Sequence, residues 1–273
     1  MNRMIVLAAL VLLVAACGTS PTPQPPTAPA LSGQITFAGS TTVQPLAAKL
    51  ADAFQQQYPG VTLDIAAGGS VIGIQAIHEG TVDIGMASRQ LKPEEEEGIT
   101  QHQIAVDVIA VVVNSSNSVE GLTLSQLQDI YLGEVTNWSE VGGPNQPIEV
   151  VIREKTSGTR GAFDEIVLYT QEPVAPNLQA AMTAGDVAAL VAAEPDAIGY
   201  VGFGNLEAGL KLLAIDGILP SDETARDGSY TLVRPLLLLT GPLTQPLAQT
   251  FVDYALSEEG QQVVIDSGWV AAR

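Results

Sequence analysis

The stretch QITFAGSTTVQPLAAKLADAFQQQY, residues 34–58, decides the fold prediction. Its first five residues, 34–38, favour a short strand. From residue 42 to residue 58, apolar residues recur at the i, i+3, i+4 and i+7 spacing of an amphipathic helix. They are Val43, Leu46, Ala47, Leu50, Ala53 and Phe54. The stretch therefore predicts a strand, a tight glycine-containing turn and a helix, in that order.

The same alternation of strands and helices continues to the end of the chain. Residues 61–65 and 83–86 predict strands on either side of a helix at 71–79, and a near-continuous apolar run predicts a long buried strand at 104–113. Later strands are predicted at 148–153, 197–201, 210–215 and 230–239, and later helices at 122–131, 158–169, 185–193, 243–256 and 257–267. This order is typical of an α/β protein with a mostly parallel sheet, in which ligands bind at the carboxyl ends of the strands.

Small glycine and hydroxyl residues stand just ahead of three of the predicted helices. These clusters are AGSTT at 38–42, GGS at 68–70 and TSGTR at 156–160. A helix start offers unpaired backbone N–H groups and the positive end of the helix dipole. Each cluster taken alone is an ordinary helix cap. Three that converge would surround an oxyanion with donors.

The charge balance of the chain is strongly acidic. It has 11 Lys and Arg against 30 Asp and Glu, a formal net charge of −19. Such a chain repels nucleic acid, and no basic stripe with interleaved aromatic residues occurs. A buried ring of donors can still bind an anion, because exposed charges beyond about 8 Å are largely screened at physiological salt. The few cations include four in or beside the motif segments: Arg89, Arg153, Lys155 and Arg160.

The sequence gives little support to catalysis. The segment GSVIG at 69–73 has the wrong spacing for a nucleophile elbow. His78 follows Ser70 by eight residues, about 12 Å along a helix, and cannot act on it as a base. No metal-spaced set of ligands and no Walker-type motif occurs in the sequence. We therefore expect no metal, no cofactor and no enzyme; the rival from another class is a surface hydrolase or phosphatase, which would require a nucleophile with a base or metals in one pocket.

The first residues are typical of an export signal. A basic start at Arg3, an apolar run at 5–14 and small residues before Cys17 predict a signal peptide at 1–16, cleaved ahead of a lipid-modified cysteine. The run is shorter than the ~20 residues that a membrane-spanning helix needs. Cys17 is the only cysteine of the chain, and acylation gives it a purpose in an exported protein. The proline-rich segment that completes 17–32 predicts an extended tether at the extracytoplasmic face of the cell envelope.

Seven segments, in a fixed order, together resemble the phosphate-binding lipoproteins that feed the Pst-type ABC transporter. They are FAGSTTVQPLA (37–47), AAGGSVIGIQAI (66–77), GTVDIGMASRQL (80–91), LTLSQLQDIYLGEVTNWSEVGG (122–143), VVIREKTSGTRGAF (150–163), AIGYVG (197–202) and SEEGQQVV (257–264). The resemblance implies a type II periplasmic-binding-protein fold, in which two α/β lobes joined by crossover strands close on an anion in the cleft. Lobe 1 would comprise 33–108 and 230–273, and lobe 2 would comprise 109–229, with crossovers at 104–113 and within 203–235.

The resemblance also implies a function and a set of ligand-binding residues. The function is capture of inorganic phosphate by a monomeric, membrane-anchored lipoprotein that delivers it to an ABC permease. The implied ligand donors are Ser40, Thr41, Thr42, Ser70, Arg153, Ser157, Gly158 and Thr159. The first of these belong to lobe 1 and the last four to lobe 2, so closure would complete the shell and couple binding to a hinge motion.

Two places depart from the family pattern. Better-studied members carry an aspartate where this chain has Arg89, and that carboxylate accepts a proton from protonated phosphate and so rejects sulfate. Here either Ser88 and Arg89 donate to the ligand, or Arg89 pairs with a carboxylate such as Asp83. Sulfate, molybdate or tungstate is therefore the nearest alternative ligand, and an envelope sensor or adhesin without ligand affinity is a third alternative. In the second cluster, Val71 and Ile72 replace small residues, so fewer amides are expected to approach the ligand.

Overall fold

The computed structural model describes residues 31–272. The predicted signal peptide at 1–16, Cys17 and the predicted tether up to residue 30 lie outside the described residues. The α-helices of the described part are α1 Gln44–Gln57, α2 Ser70–Glu79, α3 Leu124–Tyr131, α4 Gly158–Ile166, α5 Ala184–Ala193, α6 Asp222–Arg226, α7 Pro246–Leu256 and α8 Glu258–Asp266. Its strands are β1 Ser32–Gly39, β2 Gly60–Ala67, β3 Ile84–Ala87, β4 Thr100–Asn114, β5 Gly121–Leu122, β6 Glu149–Arg153, β7 Leu178–Ala181, β8 Ala197–Gly202, β9 Leu210–Leu212, β10 Ala214–Ile215, β11 Val233–Thr240 and β12 Val270–Ala271.

A ten-stranded sheet runs through the described residues in the order β2-β1-β3-β11-β4-β8-β6-β7, with β9 and β12 also paired to β4. The first strand group, β1 to β3, is parallel, and so is the second strand group, β6 to β8. Between them, β11 and β4 pair antiparallel with their neighbours. The prediction of a mostly parallel sheet is therefore wrong, because two strands that return between the parallel groups make the sheet mixed.

Strand β4 belongs to both parts of the sheet. Its residues 100–108 pair with β11, and its residues 109–113 pair with β8. Most of the apolar run at 104–113 is buried, as expected for a strand covered on both faces. The long strand predicted there is confirmed, and it passes from one strand group to the other.

The first strand group is covered by helix α1, whose apolar stripe packs on the sheet. Leu46, Leu50 and Phe54 are fully buried, which is why the helical spacing of the sequence was informative. The rings of Phe54 and Phe251 meet edge to face with centroids 5.3 Å apart. Burial of each such side chain stabilises the fold by roughly 1.5–3 kcal/mol. This packing holds α1 on the sheet, and with it the loop that precedes the helix.

The second strand group has its own aromatic packing. Phe163 of α4 stacks on Tyr200 of β8 with ring centroids 4.0 Å apart, and Tyr131 of α3 lies against both rings. All three side chains are buried. These aromatic contacts therefore hold helix α4 against the sheet, and the first turn of α4 lies at the carboxyl end of β6.

Two predicted elements differ from the observed ones, and one strand of the second strand group was not predicted. The helix predicted at 158–169 ends at Ile166, and Tyr169 and Thr170 adopt positive φ. The strand predicted at 210–215 is divided into β9 and β10. Strand β7, with the sequence LQAA, was not predicted, because it has no β-branched residue and forms through parallel pairing with β6.

The carboxyl ends of four parallel strands open onto the loops that the sequence singled out. β1 leads into residues 40–43, β2 into 68–69, β3 into 88–92 and β6 into 154–157. None of the helices within residues 31–272 is both long enough and apolar enough to cross a membrane. The fold thus assembles the motif loops at the ends of strands from both groups.

Candidate functional site

The first motif loop turns the backbone sharply, and a buried hydroxyl accepts hydrogen bonds from the turn that precedes helix α1. Gly39 has φ of +135°, and a Cβ there would lie 2.3 Å from the carbonyl oxygen of Met86; only glycine fits. The hydroxyl oxygen of Ser40 accepts hydrogen bonds from the amides of Thr42 (3.2 Å) and Val43 (3.3 Å), and its own proton goes to Ser88 Oγ at 2.9 Å. The loop after β1 is therefore tied to the loop after β3.

The second motif loop joins the same group of hydroxyls. Ser70, the first residue of α2, is fully buried, and its Oγ accepts a hydrogen bond from the amide of Ser88 at 3.0 Å. The two hydroxyl oxygens of Ser70 and Ser88 lie 3.5 Å apart. Loops from β1, β2 and β3 therefore bring Ser40, Ser70 and Ser88 together.

The third motif loop approaches from the second strand group. Ser157 caps α4 by accepting the amide proton of Arg160 at 3.3 Å. A Cβ added to Gly158 would lie 2.0 Å from Ser70 Oγ and 2.6 Å from Ser88 Oγ, so the start of α4 is in direct contact with the other two loops. Across the same contact, Thr42 Oγ1 and Thr159 Oγ1 are 3.0 Å apart.

The structure thus brings the three sequence clusters to one place. We call the buried hydroxyls there the hydroxyl cluster; its members are Ser40, Thr42, Ser70, Ser88, Ser157 and Thr159. Thr41 is half-buried beside it. The first amides of α4 have no partner within their own helix, so backbone N–H groups and the positive end of a helix dipole add to the hydroxyl donors.

The backbone of the second cluster makes a contact that the sequence did not reveal. The amide of Val71 donates to the carbonyl oxygen of Thr156 at 3.1 Å. Gly69 packs on the same residue, since a Cβ there would lie 2.7 Å from the Thr156 carbonyl oxygen. This amide therefore connects the two strand groups beside the hydroxyl cluster.

Arg153 lies at the end of β6 and is 1% exposed. Its Nε and Nη2 donate to Glu154 (3.1 and 3.0 Å) and to the carbonyl oxygens of Ala181 and Met182 (3.3 and 3.0 Å). These bonds leave Nη1 as the remaining donor of the guanidinium. The ligand role predicted for Arg153 thus falls on one nitrogen of a side chain that is otherwise anchored to β7.

Arg160 stabilises the backbone of the third motif loop. Its Nη1 donates to the carbonyl oxygen of Arg153 at 3.2 Å, while Nε and Nη2 pair with Asp164 (3.1 Å) and Glu172 (2.8 Å). The amide of Arg153 donates to the hydroxyl of Tyr200 at 3.3 Å. These bonds fix the backbone of the β6–α4 loop without using a group of the hydroxyl cluster.

Arg89 points away from Ser88 into an ion pair. Both terminal nitrogens donate to the carboxylate of Glu95 at 2.7 Å. The partner suggested by the sequence, Asp83, is wrong, because that carboxylate accepts from the amide and hydroxyl of Thr36 at 2.9 and 2.8 Å. Burial raises the pKa of Glu95, but hydrogen bonds and positive charge from Arg89 outweigh it and hold the pKa below its ordinary value. Ser88, not Arg89, is the residue of this segment that joins the hydroxyl cluster.

Two residues of the site were not found from the sequence. Arg234 of β11 and Asp107 of β4 stand opposite each other in the antiparallel register. Arg234 Nε and Nη2 donate to Asp107 Oδ2 at 3.0 and 2.8 Å, and Nη2 also donates to Thr42 Oγ1 at 3.3 Å. The available signal was one charged residue in each of two apolar strand sequences. Burying a single charge is costly, so each of the two residues would be expected to have a partner of opposite charge. The sequence could not show that the two strands are neighbours.

Neither histidine reaches the hydroxyl cluster. His78 is exposed and lies with Nε2 3.1 Å from the carbonyl oxygen of Glu95, and His102 Nε2 lies 2.8 Å from Thr240 Oγ1. Within residues 31–272, no group of three or more His, Cys, Asp or Glu side chains is arranged to hold a metal ion. The hydroxyls and helix-start amides of the cluster are hydrogen-bond donors of the kind that bind an anion.

A cavity of about 550 Å³ opens beside the hydroxyl cluster, with Ser157 in its wall. Most of its charged wall residues form ion pairs with one another, as Arg89 does with Glu95 and Lys155 does with Glu172. The cavity therefore contributes little uncompensated charge, and the convergent donors lie in the buried cluster next to it.

Comparison with known proteins agrees with the fold. A family model described as a PBP superfamily domain matches residues 24–259. The phosphate-binding protein PstS of Bacillus subtilis is 32% identical over 280 residues, which cover 98% of this chain and 92% of that protein. The chain belongs to the PBP superfamily and to its PstS family.

Solved structures show the same architecture in members of known ligand class. A structure from Clostridium perfringens, described as a phosphate ABC transporter substrate-binding protein with bound phosphate, is 38% identical and superposes with a TM-score of 0.86, covering 88% of this chain and all of that one. An ABC-type phosphate transport receptor from Vibrio cholerae is 30% identical, with a TM-score of 0.73 and coverage of 88% and 100%. The predicted periplasmic-binding-protein fold of this PstS-family chain is confirmed.

Proposed function

We propose that this protein is an extracytoplasmic solute-binding lipoprotein that captures inorganic phosphate and delivers it to an ABC permease. The observation that carries the proposal is the convergence of three helix starts on the hydroxyl cluster, with Gly158 in contact with Ser70 and Ser88. Membership of the PstS family supports it, because relatives of this length and fold are phosphate-binding proteins of ABC transporters. They are binding proteins rather than enzymes.

The proposed ligand shell takes donors from both strand groups. Hydroxyls and amides of Ser40, Thr41, Thr42, Ser70 and Ser88 come from one side, and Arg153, Ser157, Gly158 and Thr159 come from the other, with Arg89 at the margin. An oxyanion favours such a shell because hydrogen bonds to a charged acceptor are roughly twice as strong as neutral ones. Fixed donors also lower the entropy lost on binding.

Binding is coupled to closure in this proposal. Lobe 1 is taken as 33–108 and 230–273, and lobe 2 as 109–229, with β4 as one crossover. The contact of Thr42 with Thr159 and the bond from Val71 to Thr156 join the two sides next to the ligand shell. A ligand that holds both sides together shifts the protein toward the closed form, and the permease distinguishes that form from the open one.

Selectivity for phosphate rests on hydroxyl groups in this proposal. The carboxylates nearest the cluster are already bonded, Asp107 to Arg234 and to the amide of Phe203, and Glu154 to Arg153 and Thr156. A serine or threonine hydroxyl both donates and accepts, so it can receive the proton of hydrogen phosphate. Because these two carboxylates are already bonded, sulfate, molybdate or tungstate is the second candidate ligand.

The protein is further proposed to be a monomer held at the membrane by a lipid on Cys17. The sequence of 1–16 and the tether at 17–32 support this part. The tether gives the folded part freedom to meet the permease, because proline-rich segments act as extended spacers.

Calorimetry with site variants tests the proposed site. We expect the soluble mature chain to bind phosphate in a one-to-one ratio, and Ser70→Ala to weaken binding about tenfold or more, since a hydrogen bond to a charged group contributes roughly 1.5–3 kcal/mol. Ser139→Ala removes an exposed hydroxyl from the second part of the chain and is the matched control. Equal affinity in the Ser70 variant and the control would place the ligand elsewhere.

A further inference from the structure

The guanidinium of Arg234 carries a buried donor that has no hydrogen-bond partner among residues 31–272. Arg234 is 3% exposed. Its Nε and Nη2 are bonded to Asp107 and Thr42, but Nη1 is buried and has no hydrogen-bond partner among residues 31–272. A buried N–H of a charged group without a partner is costly, so its presence calls for a ligand that completes it.

The position of this nitrogen is fixed by its neighbours on the same planar group. Nη2 donates to Thr42 Oγ1, and Thr42 Oγ1 lies 3.0 Å from Thr159 Oγ1 in the hydroxyl cluster. Nη1 shares a carbon atom with Nη2, so it too lies at the edge of the cluster. The donor is therefore next to hydroxyls of both strand groups.

A second guanidinium lies near enough to repel this one. Burial lowers the pKa of Arg234, and the negative charge of Asp107 raises it in part. The positive charge of Arg153 lowers the pKa further. Arg153 has its own Nη1 left over after four bonds to Glu154 and β7. An anion between two cationic groups relieves their repulsion and takes hydrogen bonds from both.

Asp107 holds Arg234 in place, and both of its carboxylate oxygens already accept hydrogen bonds. Its Oδ2 accepts from Arg234 Nε and Nη2, and its Oδ1 accepts from the amide of Phe203 at 3.0 Å. Gly202 covers the pair, since a Cβ there would lie 2.4 Å from Asp107 Oδ2 and 2.9 Å from Arg234 Nη2. The pair therefore presents a donor, and not a carboxylate oxygen, to the site.

We propose that Arg234 is a ligand-binding residue that donates a hydrogen bond from Nη1 to the bound oxyanion, with Asp107 as its positioning residue. This inference rests on the proposed function and adds a third source of donors to it. The first source is the loops after β1 to β3, and the second is the loop after β6. The third is the pair of strands β4 and β11 that lies between the two strand groups.

Calorimetric titration with phosphate tests the assignment in Arg234→Gln, Asp107→Asn and the double variant. Glutamine keeps a donor for residue 107 but lacks Nη1. We expect Arg234→Gln to weaken phosphate binding about ten- to a hundredfold. Arg226→Gln removes the same charge from an exposed position, and we expect its affinity to stay within about twofold of wild type.

The double variant separates positioning from a general structural role. If Asp107 acts through Arg234, Asp107→Asn weakens phosphate binding in the wild-type background and has no further effect in the Arg234→Gln background. If the losses of binding free energy in the two single variants add in full in the double variant, the positioning role of Asp107 is overturned. An Arg234→Gln variant that folds and binds phosphate within about twofold of wild type would overturn the ligand role while leaving the proposed function intact.

Two further outcomes are decided on the wild-type protein. If a variant does not fold, a crystal structure of the wild type with phosphate decides: Nη1 within about 3.2 Å of a phosphate oxygen supports the assignment, and Nη1 bonded to water or protein overturns it. If the wild type binds sulfate, molybdate or tungstate but not phosphate, the proposed ligand fails and the same variants test Arg234 with that anion. A wild type that binds none of them overturns both proposals.

Discussion

Gly158 and Ser70 approach so closely that a Cβ on Gly158 would lie 2.0 Å from the Ser70 hydroxyl oxygen. One residue begins helix α4 and the other begins helix α2, so this contact joins the starts of two helices from different strand groups. An anion held at this place is reached by donors of both.

Replacement of Gly158 by alanine should block this approach. We expect Gly158→Ala to lower phosphate affinity by about tenfold or more, because overpacking of a close contact costs roughly 1–3 kcal/mol. Alanine favours a helix over glycine by about 1 kcal/mol, which offsets part of this cost, so the melting temperature without ligand should fall by little. Gly185→Ala is the control, since that glycine is also in the first turn of a helix and a Cβ there meets only Thr183 Oγ1 at 3.8 Å. Unchanged affinity in Gly158→Ala would show that the closed contact is not part of binding.

Thr42 and Thr159 should act as a coupled pair. Their hydroxyl oxygens are 3.0 Å apart and both side chains are buried. We expect Thr42→Val and Thr159→Val each to weaken phosphate binding, and the double variant to lose less than the sum, by about 0.5–3 kcal/mol. Calorimetric titration of the four proteins gives the coupling energy directly. Strict additivity would mean that the two hydroxyls act on the ligand independently.

Removal of one partner of the buried ion pair between Asp107 and Arg234 should lower the stability of the fold. Both side chains are buried, so Asp107→Ala leaves an uncompensated guanidinium and should lower the free energy of unfolding by about 3–5 kcal/mol. Asp107→Leu with Arg234→Met removes both charges and should recover most of that loss while abolishing the Nη1 donor. Urea unfolding measures both effects. A single variant as stable as wild type would mean that water reaches the pair.

The ion pair of Arg89 and Glu95 should contribute stability that depends on pH. Burial raises the pKa of Glu95, but Arg89 and the amide of Lys92 hold the pKa below the ordinary 4.5. A carboxyl with a lowered pKa in the folded state stabilises the fold above its unfolded pKa, and this contribution is lost as pH falls through the folded value. The melting temperature of wild type should therefore exceed that of Glu95→Gln at about pH 7, and the difference should shrink below about pH 4.5. Glu97→Gln, at an exposed neighbour, should show no such trend, and a constant difference for Glu95→Gln would contradict the ion-pair account.

The proposed lipid anchor predicts a simple fractionation result. Cys17→Ser removes the acylated thiol, so the folded protein should move from the membrane fraction to the soluble fraction of the envelope. Intact mass measurement of wild type should show a lipid on residue 17. Wild type that is unmodified at Cys17 would refute the anchor without affecting the binding site.

Much of the fold and part of the site could be predicted from sequence because the information is local. Helical spacing over 42–58 and the hydroxyl clusters ahead of α1, α2 and α4 are read from adjacent residues. Ser40 and Ser70 were predicted as donors from these clusters and Gly158 from the family resemblance, and the structure brings the three residues together. Their contact with a ligand stays a prediction.

Other features depend on strands that are neighbours only in the folded protein. The pairing of Arg234 with Asp107 follows from the register of β11 on β4, across 127 residues of chain. The mixed sheet has the same origin, because a single apolar run does not reveal its direction beside another strand. The partner of Arg89 was also missed, since Glu95 lies in an acidic run that is otherwise typical of a solvated surface.

Competition calorimetry on the wild-type protein tests the central claim most directly. The folded mature chain is titrated with phosphate, alone and in the presence of an excess of sulfate, molybdate or tungstate. The account predicts saturable one-to-one binding of phosphate that these anions weaken little. Absence of heat with phosphate, together with tight binding of sulfate or molybdate, would contradict it.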